Sequence, residues 1–490
     1  MFFHISKIVR EGSCQDGRGW GEEGGKDSAG AKVWFARGGV GGVYGKSARR
    51  MDRRATQRRT MSRFIVQGGR PVGGEFRPLG NKNAALPMIA AALLTEEAVA
   101  LENVPDITDV DLMLAFARRF GAEVRRDKSA HTVTICAKRL RAARLDPDLS
   151  RKIRTSILFA GPLLARLGYV ALPPPGGDGI GHRRLDTHFD GFVALGASTK
   201  LSTRVFSLRA REGLKGANLV LDEASVTATE NLLMAASLAK GRTVIYNAAC
   251  EPHVRCLADM LRSMGAKIEG AGTNRLVIDG VERLSGTTHR VCSDLVEAGS
   301  YLVAAAVTDG SIRLENVDIE DFEILSKPFR RFGLKWQSDA AAKTITYASP
   351  RRRRIKYDFG DAIPSVADGP WPMFPSDLMS ILIVLATQTK GTCLFFEKMF
   401  ESRLYFVDHL IGMGAKIVHC DPHRVVVTGK SQLHGTIVSS PDIRAGIALI
   451  LAALCAKGET TILNADSIDR GYEAVEKELS ALGAEIRRLG

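Results

Sequence analysis

Hydrophobic positions along the chain follow one pattern six times. An amphipathic helical stretch runs into a Gly-centred stop and then an extended segment: FGAEV at Phe120, LGAST at Leu195, MGAKI at Met264, FGLKW at Phe332, MGAKI at Met413 and LGAEI at Leu482. The glycines Gly121, Gly196, Gly265, Gly333, Gly414 and Gly483 fall about 70 residues apart. Glycine takes the left-handed conformation that closes a helix before a strand. A fixed period of this kind predicts one supersecondary unit used six times.

Between these marks lie runs that are apolar nearly all round, at 231–239, 298–307, 378–386 and 445–456, each followed by a glycine turn and a β-rich segment. A helix with no polar face belongs inside a core. These runs are too short to span a bilayer, so the pattern predicts six buried helices and no transmembrane segment. Each unit then holds a buried helix, an outer amphipathic helix and a set of strands. The repeats divide most simply into two α/β domains of three units each.

Composition changes this picture at one end. The first 60 residues hold 13 Lys/Arg against 6 Asp/Glu, half of the formal net charge of +14, in a Gly-rich segment without periodicity. Residues 1–61 are expected to be a disordered basic extension, dispensable for folding, with translation beginning near Met61; a nucleic-acid-binding tail is the rival expectation. The eight cysteines form no CxxC pair. Cys250, His253 and Cys256 have helical spacing without a second ligand pair, so packed thiols are expected rather than zinc. The basic run 351–354 is expected at a solvated hairpin tip.

The polar residues that stand out sit at the mouths of the buried helices. They are Asn81-Lys82-Asn83, Arg154-Thr155-Ser156, Ser225-Val226-Thr227, Ser376-Asp377 and Asp442-Ile443-Arg444. Helix N-termini carry unpaired N–H groups and partial positive charge, which suits polyanions. Capping accounts for Ser225 or Asp442. It does not account for Lys82, Arg154 and Arg444, since cations at N-termini are disfavoured until an anion arrives. The segment 176–188, GGDGIGHRRLDTH, places an acid, Asp178, among glycines, with Arg183 and Arg184 following. Such a loop suits opening and closing over a ligand.

The motifs GNKNAALPMIAAALL, KIRTSILFAGPLLARLG, LPPPGGDGIGHRRLDTH, SVTATENLLMAASLAKG, FPSDLM, FESRLYFVDHL and SIDRGYEAVEKEL, in this order, closely resemble the UDP-N-acetylglucosamine 1-carboxyvinyltransferases of the enolpyruvyl transferase family. The resemblance runs from about Ser62 to Leu489. It implies a two-domain fold, each domain three βαβαββ units, with the N-terminal strand completing the C-terminal domain. The expected division is 62–81 plus 296–490 for one domain and 82–295 for the other, with ligands bound between them.

The resemblance also implies roles. Lys82, Arg183 and Arg470 would hold phosphoenolpyruvate. Asn83 and Asp377 would hold the sugar of UDP-N-acetylglucosamine, with Asp377 as the base for its 3-hydroxyl. Arg154, Arg403 and Arg444 would surround the anionic ligands, Ser225, Val226 and Thr227 would give backbone N–H groups to the diphosphate, and Asp186 and His188 would meet the uridine. Asp178 would be the general acid, in the place where most relatives carry the cysteine that fosfomycin alkylates, so insensitivity to fosfomycin is expected. No metal or cofactor, no nucleic acid and no membrane partner is implied, and a cytoplasmic monomer is expected. Arg184, Thr187, Thr227 and Leu295 depart from the usual pattern, which bears on the acceptor. The alternatives are a paralogue using another nucleotide or nucleotide sugar, and a non-catalytic nucleotide-sugar or RNA binder.

Overall fold

Among the described residues, six four-stranded sheets account for the six repeats. Each contains one parallel and two antiparallel pairings, as in the sheet where Arg242–Tyr246 runs parallel to Asn218–Val220 and antiparallel to Arg275–Asp279. The computed structural model describes residues 62–490 except 142, 203 and 351. The expectations for the basic N-terminal segment lie outside the described residues.

The glycine stops do what their spacing predicts: all six have φ between 81° and 103°, the left-handed region, at the exit of an outer helix. The apolar runs are buried helices: Lys82–Ala91, Ala160–Leu167 behind a 3₁₀ turn at Arg154–Phe159, Val226–Ala236, Leu295–Val307, Ser376–Thr387 and Ile443–Cys455. In Leu295–Val307 every side chain is buried. Among the described residues no helix is long and apolar enough to cross a membrane.

Two separate hydrophobic cores result. One gathers Ala84 through Val291 around the first three helices. The other joins Phe64, Val66, Val72 and Phe76 to residues from Leu295 to Ile486 around the last three. The N-terminal strand Arg63–Gln67 lies in the second lobe, antiparallel to Glu459–Leu463 on one side and Glu485–Leu489 on the other. Gly74–Phe76 follows it there, parallel to Ser311–Leu314.

The chain crosses between lobes twice, and the crossings are zipped together. Asn81 N–H donates to the Cys292 carbonyl at 2.7 Å and Asp294 N–H to that of Leu79 at 2.9 Å. Gly80 is required between them, because a Cβ there would lie 1.8 Å from the Asn103 carbonyl oxygen.

The run 351–354 corrects the expectation of a solvated hairpin. The strands on either side, Thr344–Ala348 and Ser365–Ala367, belong to different sheets. Arg353 is buried between them, paired with Asp309 at 3.1 Å and bonded to Ser349. Its carbonyl accepts the Lys390 N–H of the next unit at 3.2 Å, so this arginine ties two units together.

Glu297 is buried beside the crossover and accepts the Leu79 N–H at 2.8 Å. Burial, reinforced by Asp294, pushes its carboxyl up to about 8. The folded value lies above the unfolded one, so this group's contribution is complete below the ordinary carboxylate range and is lost as pH rises towards 8. The loss is on the order of 4 kcal/mol. Thermal stability is therefore expected to fall from the ordinary carboxylate range up to about pH 8 and to level off above it, and Glu297→Gln to remove much of that fall; equal slopes in the two proteins would place the effect elsewhere.

Candidate active site

The two cores face each other across a cleft with a cavity of about 290 Å³. Helix N-termini from both lobes open into it, as their sequence requires: a polar first turn is compatible with a buried apolar helix only where the helix ends at a surface. Lys82 and Asn83 come from the first helix, Arg154 from the 3₁₀ turn ahead of the second and Val226 and Thr227 from the third. Asp377 and Arg444 come from the fifth and sixth. Arg403 and Arg470 lie in short 3₁₀ turns of the second lobe.

Asp377 sits at the centre of the second lobe's contribution. Its carboxylate receives Arg444 at 2.8 Å and Arg403 at 3.3 Å. Burial opposes its ionisation, but the two guanidiniums prevail, aided by Lys82, and hold it well below the ordinary carboxylate range. Asp377 is thus a fixed anion within a cationic surround.

Lys82 and Arg470 meet at a second carboxylate. Lys82 Nζ lies 2.6 Å and Arg470 Nε 3.0 Å from the two oxygens of Asp109, which is nearly inaccessible. Arg470 also reaches Asp178. The loop acid therefore bonds a cation of the opposite lobe, where an anionic ligand would compete for the same guanidinium.

The remaining cations are less well matched. Arg154 gives its hydrogens to the backbone carbonyls of Arg183 and Arg184. Burial and the neighbouring Arg183 push it down to about 10. Arg183 is lowered too, by burial and by Arg403, against the favourable pull of Asp178. Arg183 and Arg403 both stand over the Phe400 ring, at 6.0 and 5.1 Å. Cations that depress one another across a shared cleft mark a place where added negative charge is stabilised.

The loop 176–188 is latched across the cleft. His182 N–H donates to Glu401 at 2.9 Å, and the Ile180 carbonyl accepts Ser402 N–H at 3.1 Å. Gly181 permits this at φ 134°, since a Cβ there would lie 2.4 Å from the Glu401 carboxylate.

Three residues expected to bind ligand are not in the cavity wall. His188 is buried: its Nδ1 accepts from Asn231 at 3.0 Å and its Nε2 bonds Thr227 at 3.1 Å. Burial and Arg154 push its imidazole down to about 3, so it is a neutral prop that fixes Thr227. Ser225 N–H is already given to the Glu223 carbonyl at 2.7 Å. Asp186 is exposed and paired with Arg184 at 2.7 Å. Conversely, Asp109 belongs to the site, although in the sequence it is an ordinary acid in the first turn of the outer helix Thr108–Arg119. Glu230, Glu251 and His253 also line the cavity. Each carries a buried polar atom without a partner.

A family model described as EPSP synthase (3-phosphoshikimate 1-carboxyvinyltransferase) matches residues 66–479. The chain belongs to the EPSP synthase family. Among curated relatives it is similar to proteins named UDP-N-acetylglucosamine 1-carboxyvinyltransferase. That of Bradyrhizobium diazoefficiens is 51% identical, with 87% of this chain and 98% of the relative covered. That of Treponema pallidum is 50% identical, covering 88% and 100%. Among solved structures, the enolpyruvyl transferase NikO from Streptomyces tendae superposes with a TM-score of 0.77 at 24% identity, covering 88% of this chain and 99% of that one. An EPSP synthase from Acinetobacter baumannii does so at 0.69 and 20% identity, covering 88% and 100%. These two likenesses are of fold, and the six-unit, two-lobed family architecture is the one predicted from the glycine period.

Proposed function

We propose that this protein transfers the enolpyruvyl group of phosphoenolpyruvate to the 3-hydroxyl of UDP-N-acetylglucosamine, releasing phosphate, at the opening of peptidoglycan precursor synthesis. The observation that carries this is the set of six cations converging from both lobes on a cleft that holds an ionised Asp377, in a chain about half identical to relatives of that name over nearly their whole length.

Phosphoenolpyruvate brings nearly three negative charges. Lys82, Arg183 and Arg470 supply positive charge from three directions, and guanidiniums bind phosphate and carboxylate through paired N–H groups. Asn83 and Asp377 would orient the sugar. Asp377 takes the proton of the 3-hydroxyl as that oxygen adds to C2, while Asp178 protonates C3, giving a tetrahedral phosphate ketal. Loss of a C3 proton and of phosphate then leaves the enol ether.

The electrostatics fit this order of events. Asp377 is a weak base while Arg444 and Arg403 are committed to it. Anion binding draws on the same guanidiniums and loosens their hold, raising the basicity of Asp377 when the substrate is in place. The same competition for Arg470 releases Asp178 from its ion pair.

Phosphate release from phosphoenolpyruvate with a panel of nucleotides and nucleotide sugars tests the reading. UDP-N-acetylglucosamine is expected to give the highest kcat/KM. A preference for another acceptor would keep the transfer reaction but replace the acceptor, and no release with any of them would overturn the reading.

A further inference from the structure

Next to the cleft, a sulfur on the crossover between lobes meets a second one on an outer helix, and the transfer reaction uses neither. Cys292 lies between the strand Thr287–Arg290 and Asp294, which caps the fourth buried helix. Its N–H donates to Cys256 Sγ at 3.3 Å, and His289 Nε2 stands 4.0 Å from the same sulfur. Cys256 is on the outer helix Pro252–Ser263 and is 8% exposed, whereas Cys292 lines the cavity.

The two thiols differ in character. The Cys292 side chain hydrogen-bonds Cys256 and pushes that thiol down against the effect of burial, with His289 and the Cys292 N–H adding to it. The same bond, with burial, pushes the Cys292 thiol up. The backbone N–H and the imidazole that face the Cys256 sulfur favour its thiolate, the character of an attacking thiol, and Cys292 beside it is placed to resolve. By contrast, burial raises Cys250 and pushes Cys393 and Cys455 up to about 12.

We propose that Cys256 and Cys292 form a peroxide-sensitive dithiol, Cys292 in the cleft wall and Cys256 directly behind it, oxidised reversibly to a disulfide. The Cys256 thiolate attacks one oxygen of hydrogen peroxide; the O–O bond breaks, and the departing hydroxide takes a proton to become water. Cys256 is left as a sulfenic acid. The Cys292 sulfur then attacks it, the S–S bond forms and the S–O bond breaks, and hydroxide leaves with the Cys292 proton as a second water. Peroxide gains the two electrons that the thiols lose.

The bond reaches the catalytic groups through the backbone. The Cys292 carbonyl holds Asn81, whose side chain caps the helix that begins at Lys82. Tying Cys292 to the outer helix fixes the crossover and displaces Lys82, and small displacements of positioning groups reduce turnover on the order of tenfold to a hundredfold.

The test treats the full chain with hydrogen peroxide and maps its peptides without reduction. The expected results are a cross-linked peptide joining positions 256 and 292, a mass loss of two hydrogen atoms, and a fall in turnover that dithiothreitol reverses. UDP-N-acetylglucosamine should slow the oxidation by covering Cys292. In Cys292→Ser, dimedone should trap a sulfenic acid at Cys256 and no cross-link should form. The cross-link is read by mass and is independent of which acceptor the enzyme uses. Absence of the 256–292 peptide from the wild-type chain, or trapping at Cys292 rather than Cys256 in single-cysteine variants, overturns the proposal.

Discussion

Asp178→Asn is expected to lower turnover about a thousandfold, the loss associated with removing a positioned proton donor, while leaving the fold intact. The loop remains latched through backbone groups, His182 N–H to Glu401 and Ser402 N–H to the Ile180 carbonyl, which the substitution does not touch. Asp178→Cys should retain activity, because a thiol can deliver the same proton, and its pH profile should move towards the thiol value of about 8.5. The cysteine variant should also become sensitive to fosfomycin, to which the aspartate enzyme is expected to be indifferent. Steady-state kinetics across pH, with and without the epoxide, measure all three. Near-normal turnover in Asp178→Asn would remove Asp178 from the role of acid.

Asp377→Asn has the second largest expected effect, and it acts on two quantities at once. Loss of the base lowers kcat by roughly a hundredfold to ten-thousandfold. Loss of the charge leaves Arg444 and Arg403 buried without their partner, and breaking a buried pair costs about 3–5 kcal/mol. The stability effect depends on pH. The folded carboxyl of Asp377 is held below the ordinary range, so its contribution is present at neutral pH and disappears only as pH falls through and below that range. Melting curves of the two proteins should therefore differ at pH 7 and converge in acid. Adding phosphoenolpyruvate should recover part of the deficit in the variant, because the ligand pairs the exposed guanidiniums; a variant that gains nothing from it would separate Asp377 from the anion site.

The legible part of this protein was the part written in periodicity. Six glycine stops and the apolar runs between them specify six units, because a left-handed helix exit and a helix without a polar face each have one structural solution. The cations at helix mouths were legible for a related reason, since Lys82, Arg154 and Arg444 stand where their charge is unfavourable in isolation. Asp109 was not legible: an acid in the first turn of an amphipathic helix is what the helix dipole favours anyway, and only the fold brings it between Lys82 and Arg470. The place of His188 was not legible either: a motif does not tell whether its histidine faces the cleft or, as here, lies buried and bonds Thr227 from behind. Arg353 shows the same limit, since a run of like charges gives no sign of which member turns inward.

The central place of Arg63–Gln67 in the last sheet governs how the chain is made. Phe64 pairs with Ile462, about 400 residues later. At synthesis rates of about 5–20 residues per second, the first strand waits roughly 20–80 s for its partners to be polymerised. The lobe built from 82–291 is continuous in sequence and can condense while the rest is still being translated, whereas the other lobe stays incomplete until the final strand, Glu485–Leu489, leaves the ribosome. During that interval Phe64 and Val66, both fully buried at the end, are exposed on an unpaired strand. Unpaired apolar strands of this kind invite pairing with the wrong chain, so the yield of correctly folded protein should respond to translation speed and chaperone supply more than its final stability would indicate.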